Sequence, residues 1–314
     1  MKKTLLVTAI LTGLVSATAG AATVYDQDGS KLSVGGRAEV RGLFSDSVDG
    51  TMEDKSRARI NFKGETQISE GLTGFGVMEY EILSGDTEVS NRYLYAGLAT
   101  VVGDFSYGRQ DTANLQVSEM TDIASTHSGT QEYIGSAASK QDNTFFYANN
   151  FLDNNLSMQA NFIANGDDDK TDDNTPEDAF GVSALYSTSL GLDLGASYSD
   201  QDQQNQITLG AGYTLNDLYL ATTYAMGDKL DEDTDVLDDF TSLEVAAQYK
   251  VSKELRMIAI YTKAEQDIKG DTKDFYALEG QYRFNKSLRT YASYKFNNLD
   301  AGDDELVAGL RYNF

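Results

Sequence analysis

The segment Arg57-Ala-Arg-Ile-Asn-Phe-Lys-Gly-Glu-Thr-Gln-Ile68 decides the fold class of this chain, because apolar and polar residues alternate along it. A period of two is the repeat of a β-strand, whose successive side chains point to opposite faces of a sheet. One face of this strand is therefore apolar and the other is polar. The apolar set is Ala58, Ile60, Phe62 and Ile68, and the polar set is Arg57, Arg59, Asn61, Lys63, Glu65 and Gln67.

The segment 31–44, which precedes it, shows the same alternation. Two such strands do not distinguish a soluble β-sandwich from a membrane barrel, because both folds bury one strand face and expose the other. In a sandwich the charged face meets bulk water, whereas in a barrel it lines the interior. The two folds are distinguished instead by the number and length of the strands.

The number of strands favours the barrel. Sixteen alternating segments can be counted, mostly about 9–11 residues long, which is the length a tilted strand needs to cross a bilayer. Tight turns such as 69–71 and 285–287 alternate with longer acidic connections such as 166–178, 227–239 and 266–272, an asymmetry typical of outer-membrane barrels. The segments are 31–44, 57–68, 72–83, 92–99, 104–110, 144–150, 156–164, 179–187, 190–199, 206–214, 217–227, 241–250, 254–264, 274–284, 288–296 and 304–314.

We therefore predict an all-β fold, a 16-stranded antiparallel transmembrane β-barrel in the cell outer membrane. The apolar strand faces, rich in Leu, Tyr and Phe, suit contact with lipid, and their aromatic residues cluster near strand ends, where membrane interfaces lie. The opposite faces carry Ser, Thr, Gln, Gly, Glu and Arg, which suit water. A barrel of this size leaves an aqueous channel, and its closure removes unpaired sheet edges.

One gap between strands, 110–143, is long and has no period-two pattern. Loops of this length are uncommon in compact proteins and are usually functional. We predict that this segment, the third long connection of the barrel, folds inward and sets the width of the bore.

The composition of the chain excludes or disfavours several other classes of protein. The chain has 49 acidic residues against 25 Lys and Arg, no cysteine and a negative mean hydropathy. Acidity disfavours a nucleic-acid partner, and the hydropathy excludes a helical membrane protein. With one histidine and no cysteine, the sequence predicts no cofactor, no metal centre and no enzymatic activity. The acidic run 167–174 lacks the glycine and final glutamate of an EF-hand loop.

The N-terminus has the features of a secretory signal peptide: a basic start at Lys2 and Lys3, a short apolar core, and small residues at 19–21. We expect residues 1–21 to be removed and residues 22–314 to form the barrel.

Taken in order along the chain, several short motifs make the sequence resemble the general diffusion porins of Gram-negative bacteria, of the Vibrio and Photobacterium type. The resemblance covers essentially all of residues 22–314. Its carriers are Val24-Tyr-Asp-Gln-Asp-Gly29, Phe62-Lys-Gly-Glu-Thr-Gln67, Leu72-Thr-Gly74, Ala96-Gly-Leu98, Phe105-Ser-Tyr-Gly-Arg109 and Ala308-Gly-Leu-Arg-Tyr-Asn-Phe314.

The resemblance implies a homotrimer in which the third loop narrows each pore, with a basic cluster on the barrel wall facing acids on that loop. Arg37, Arg59, Arg92 and Lys140 match the basic positions and Glu79 matches a wall glutamate. Asp122, in Thr121-Asp122, matches the first loop acid. Thr126 stands where the second acid is expected, so that Glu119 or Glu132 is its candidate replacement. His127 is a candidate gating residue, although an isolated loop histidine is more often merely polar.

The C-terminal Phe314, with Tyr312 two residues before it, resembles the signal read by the outer-membrane assembly machinery; an ordinary last strand is the alternative. The family further implies contact with outer-membrane lipid and lipopolysaccharide, and small hydrophilic solutes and ions as the cargo.

We expect passive diffusion with a preference for cations. The acidic external loops favour cations, whereas the basic wall favours anions. A net preference for cations therefore depends on the acids Asp122, Glu79 and Glu39. A substrate-specific sugar channel, with an aromatic track, and an adhesion or structural barrel are the alternatives. Tyr219 and Tyr291 are candidates for facing the lumen, but they are too far apart in the sequence to define such a track.

Overall fold

The computed structural model describes residues 21–164, 178–231, 236–300 and 302–314, and in this part of the chain eighteen strands form one sheet. Sequence neighbours pair antiparallel. The strands are β1 (Ala22–Gln27), β2 (Ser30–Phe44), β3 (Glu53–Asp54), β4 (Arg57–Ser69), β5 (Leu72–Leu83), β6 (Val89–Thr100), β7 (Gly103–Gln110), β8 (Gln141–Phe151), β9 (Leu156–Ile163), β10 (Ala179–Ser187), β11 (Leu192–Gln201), β12 (Gln204–Leu215), β13 (Leu218–Leu230), β14 (Leu237–Lys250), β15 (Leu255–Gln266), β16 (Gly270–Arg283), β17 (Leu288–Asn297) and β18 (Glu305–Asn313).

The sheet closes on itself because its last strand pairs with its first long one. β18 lies against β2 from Leu306 opposite Phe44 to Asn313 opposite Arg37. Beyond this ladder, the backbones of Gly36 and Phe314 exchange two hydrogen bonds of 2.9 and 3.1 Å. The sixteen strands β2 and β4–β18 thus form a closed antiparallel barrel, which confirms the predicted fold class.

Two short strands were not predicted. β1 pairs with residues 30–34 of β2, on the edge that the shorter β18 leaves free, and β3 pairs with Gly42 and Leu43. Two acidic connections are also shorter than predicted, because paired strands continue into them: Asp228 lies opposite Asp239, and β16 already begins at Gly270. Residues 1–20, 165–177, 232–235 and 301 lie outside the described residues, and with them most of the predicted signal peptide and of the predicted 166–178 connection.

The two faces of the barrel are inverted relative to a water-soluble protein. Large apolar side chains such as Leu94, Leu209 and Leu278 are exposed on the outside, whereas Glu39 and Glu79 are buried on the inside. Outward aromatic residues pair across strands, as Tyr107 does with Phe145 and Tyr261 with Tyr276, and also along one strand, as Tyr294 does with Phe296 on β17. A lipid-facing exterior explains this arrangement. In the described residues, no helix has the length and apolar character needed to span a membrane.

The inner face is not polar throughout, which departs from the prediction. Ala246, Ile258 and Ile260 of β14 and β15 point inward and are buried. They are kept from water because Ile123 and Ala124 of the connection between β7 and β8 pack against them. At this position the connection therefore covers the apolar part of the wall, whereas a second inward apolar cluster on β5 and β6 packs against Tyr93.

Candidate pore constriction

The connection between β7 and β8, residues 111–140, is called the long loop here. It contains a single turn of α-helix, α1 (Leu115–Ser118), and a 3-10 turn at Gly135–Ala137. Its two arms are tied together by the buried Asn114, whose side-chain amide donates to the carbonyl oxygens of Gln131 at 3.2 Å and Ala137 at 2.8 Å. The Ser197 hydroxyl of β11 donates to the same side chain at 2.7 Å, which fixes both arms to the barrel wall.

The first arm of the long loop lies close against the inner wall because glycines leave room for it. A Cβ atom at Gly210 would lie 2.6 Å from Met120 Sδ and 2.9 Å from Val117 Cγ1. Gly195 likewise faces Val117, at 3.2 Å. Just beyond Met120, the hydroxyls of Thr121 and Thr223 are 2.9 Å apart.

The tip of the long loop is held by two wall carboxylates that the sequence analysis did not single out. Glu279 of β16 accepts the backbone N–H of Ser125 at 2.9 and 3.0 Å. Glu244 of β14 accepts the N–H of Gly129 at 3.1 Å and the Thr130 hydroxyl at 2.9 Å. The two glutamates are 1% and 0% exposed. Charge-assisted hydrogen bonds of this kind are stronger than neutral ones.

His127 extends this attachment to the last two strands. Its Nε2 lies 3.1 Å from Glu305 Oε2, and its Nδ1 lies 3.0 Å from Ser293 Oγ. A carboxylate only accepts, so Nε2 carries the proton, and Nδ1 accepts from Ser293. Burial lowers the pKa of His127, while Glu305 raises it, so the imidazole is uncharged at neutral pH. The long loop, which begins after β7 and ends before β8, thus contacts the barrel wall as far away as β16–β18.

The predicted loop acids lie on the exposed side of the long loop. The side chains of Glu119, Asp122 and Glu132 are all exposed. Asp122 accepts the Ser128 hydroxyl at 2.7 Å, and Glu132 accepts the N–H of Ser139 at 2.8 Å. Exposure therefore does not distinguish Glu119 from Glu132 as the candidate second acid.

Lys140 lies at the end of the long loop rather than on a strand. Its N–H donates to the buried Asp111 at 3.0 Å, and Asp111 also accepts the Tyr93 hydroxyl at 2.9 Å. Burial and the nearby Arg92 lower the pKa of Lys140, whereas Asp111 and Glu132 raise it. Lys140 thus interacts with charges on both the wall and the loop.

The predicted wall residues Arg37, Arg59, Arg92 and Glu79 belong to a larger set on adjacent strands, which we call the arginine–glutamate chain. Glu39 joins Arg311 at 2.6 Å and Arg57 at 2.9 Å, with Arg37 at 3.8 Å. Glu79 joins Arg92 at 2.7 Å and Arg59 at 3.8 Å. Glu81 contacts Arg57, Arg59 and Arg92. The chain comprises Arg37, Arg57, Arg59, Arg92, Arg311, Glu39, Glu79 and Glu81.

Arg57, Arg311 and Glu81 also belong to this site, although they were not predicted as members of it. A simple signal identifies two of them: Arg57 and Glu81 each lie two residues from a predicted site residue and therefore share its strand face. Arg311 lies on the last strand, and only barrel closure brings it beside Glu39.

The fold and this site define a class of protein: a membrane β-barrel whose lumen is lined by charges and entered by a long loop. The chain belongs to the Gram-negative porin family, whose sequence model matches residues 7–302. It is an outer-membrane porin, and the family consists of channels rather than enzymes.

Curated relatives span the whole chain. Porin-like protein L of Photobacterium profundum is 33% identical over 348 residues and outer membrane protein U of Vibrio vulnificus is 35% identical over 346 residues, each covering 100% of both chains.

Two solved structures have a similar fold. Salmonella typhi OmpF, in complex with daunomycin, superposes with a TM-score of 0.82 at 27% identity, covering 93% of this chain and 100% of that one. The in-vitro folded trimer form of Vibrio cholerae OmpT gives a TM-score of 0.73 at 18% identity, covering 91% and 100%.

Proposed function

We propose that this porin is a passive, water-filled pore through which ions and small hydrophilic solutes diffuse down their gradients, with a preference for cations. The observation that carries the proposal is the charge of the constriction. The arginine–glutamate chain holds five arginines and three glutamates, and the long loop holds four acids and one lysine. The wall's excess of two positive charges and the loop's excess of three negative charges nearly cancel.

Because the arginine–glutamate chain and the long loop together are close to neutral, the acidic excess of the rest of the chain, including Glu244 and Glu279 at the loop tip, adds to the preference. Of the 25 Lys and Arg residues, two lie in the predicted signal peptide, while the acids number 49. Acids in the external connections concentrate cations at the pore mouth within a Debye length, about 8 Å at physiological ionic strength.

The test is single-channel conductance together with the reversal potential across a KCl gradient. We expect a current that rises linearly with bulk salt and a reversal potential of cationic sign. Asp122→Asn is expected to reduce the preference for cations, and Arg59→Gln to increase it. A reversal potential of anionic sign at low salt, where the mouth acids act most strongly, would contradict the proposed selectivity.

The long loop limits the bore in this proposal, since it is anchored to the wall at β14 and β16–β18 inside the barrel. Deleting residues 123–129 is expected to raise the conductance and to admit larger solutes. Heat-modifiable migration on gels checks that the deletion variant has folded. An unchanged conductance in a folded variant would place the loop outside the conduction path.

We further propose export through a cleaved signal peptide, residues 1–21, and assembly as a homotrimer in lipid and lipopolysaccharide. The start of β1 at Ala22 supports the cleavage site. OmpT in its trimer form supports the oligomer. Phe314, which pairs with Gly36 at the barrel seam, and Tyr312 are the proposed assembly signal.

A sugar-specific track is not favoured by the two candidate tyrosines. The Tyr219 hydroxyl donates to the carbonyl oxygen of Met120 at 2.8 Å, beneath the long loop. The Tyr291 hydroxyl donates to Glu39 at 2.7 Å. Tyr219 therefore links the wall to the long loop and Tyr291 links two strands of the wall, so both hydroxyls have structural partners.

A further inference from the structure

Glu81 occupies the centre of three guanidinium groups on the inner wall. It accepts a hydrogen bond from Arg59 Nε, lies 3.4 Å from Arg92 Nη1 and lies 3.8 Å from Arg57 Nη1. These arginines come from β4 and β6, on either side of β5, which carries Glu81. The side chain is therefore surrounded by cationic groups from both neighbouring strands.

Glu81 differs from the other two glutamates of the arginine–glutamate chain in its access to the lumen. The Glu39 side chain is 0% exposed and that of Glu79 is 7% exposed, whereas that of Glu81 is 12% exposed. Glu81 is thus the most exposed of the three carboxylates, and the side chains of Arg57, Arg59 and Arg92 are exposed to a similar degree, at 16%, 14% and 16%.

Guanidinium groups bind carboxylate and phosphate through a planar fork of N–H donors. Three such groups around one point would form a site for an anionic solute. Here the Glu81 carboxylate already accepts these donors, and it also holds the arginine side chains back against the wall. An anion in the lumen therefore meets donors that are in use and a carboxylate that repels it.

We propose that Glu81 is the built-in occupant of an anion site formed by Arg57, Arg59 and Arg92, and that it contributes to the ion specificity of the pore by keeping anions from binding there. This inference rests on the proposed function in requiring an open conducting channel, and it specifies the residue that suppresses the wall's affinity for anions.

The test uses the isosteric variant Glu81→Gln in planar bilayers. We expect the cation-to-anion permeability ratio to fall by roughly threefold or more, since one negative charge is lost at the narrowest and least screened part of the path. We also expect inorganic phosphate at millimolar concentration to block the current of the variant while leaving the wild-type current unchanged.

Glu65→Gln is the matched control. Glu65 lies on the same face of β4 as Arg59 and is 3.9 Å from Lys31, so its replacement removes the same charge from the inner wall away from the three arginines. We expect this control to shift the ratio less and to show no block by phosphate. If Glu81→Gln and Glu65→Gln behave alike in both measurements, Glu81 has no special role.

Replacing Glu81 leaves the positive charges of Arg57, Arg59 and Arg92 close together, and their repulsion could prevent folding. A second comparison is therefore made in the Arg59→Gln variant, which has one arginine fewer. Adding Glu81→Gln to Arg59→Gln should still lower the permeability ratio relative to Arg59→Gln alone, and an equal ratio would overturn the proposal. The sign of the wild-type reversal potential tests the proposed cation preference separately. The Glu81 prediction concerns only the change in permeability ratio between variant and parent, so it can be tested whichever sign the wild type shows.

Discussion

Glu119 is a residue through which the charge of the constriction can respond to pH. Enclosure within the barrel raises the pKa of its carboxyl, and the neighbouring Asp111, Asp122 and Glu132 raise it further, whereas Lys140 lowers it. The side chain is exposed, and its hydration limits the increase. The carboxyl therefore takes up a proton at a higher pH than an ordinary glutamate, whose pKa is about 4.3.

We predict that the preference for cations declines as the pH falls from about 8 to about 5, above the range in which ordinary carboxyls titrate. The sign follows from the raised pKa, because protonation below it removes a negative charge from the long loop. The measurement is the reversal potential in a fixed KCl gradient across this range. In Glu119→Gln the profile should be flatter, and a wild-type profile as flat as the variant's would contradict the prediction.

At the scale of elements, the long loop is positioned by the small residues beneath α1. A side chain at Gly210 would meet Met120 and Val117 within 3.0 Å, so it would force α1 away from β12 and into the lumen. We predict that Gly210→Val lowers the single-channel conductance while the barrel still folds.

Gly280→Val is the control for this prediction, because a Cβ at Gly280 of β16 meets nothing closer than Met257 Sδ at 3.7 Å. It places the same β-branched residue in a strand without touching the long loop. We expect wild-type conductance from this control. Equal conductance in both variants would show that the glycine beneath α1 does not set the bore.

At the scale of the whole molecule, two sets of charges act on a permeating ion: those of the near-neutral constriction and those of the acidic external connections. Exposed charges at the mouth are screened as salt rises, since the Debye length falls from about 30 Å at 0.01 M to about 3 Å at 1 M. We predict that the cation preference weakens steadily over this range. Reversal potentials at a constant salt ratio but increasing absolute concentration measure it. A preference independent of salt would instead locate selectivity within the constriction alone.

The barrel itself follows from local sequence. A period of two fixes which face of each strand is apolar, and it requires no knowledge of distant residues, so the sixteen strands were predictable. The resemblance to the porin family, rather than the period, assigned Arg37, Arg59, Arg92 and Glu79 to the pore wall. The missing pieces, β1 and β3, are short and have too few residues for a period to show. The lengths of the connections were overestimated, because acidic residues such as Asp228 and Asp239 continue a ladder beyond the membrane-facing part of a strand.

Contacts across the lumen depend on closure of the ring, and only the tertiary structure decides them. Ser125 meets Glu279, and His127 meets Glu305, across more than a hundred and fifty residues of sequence. Glu39 meets Arg311 because the last strand returns beside the first long one. A sequence pattern determines the direction in which a side chain points, but the partner that it meets there is determined by the curvature and closure of the whole sheet.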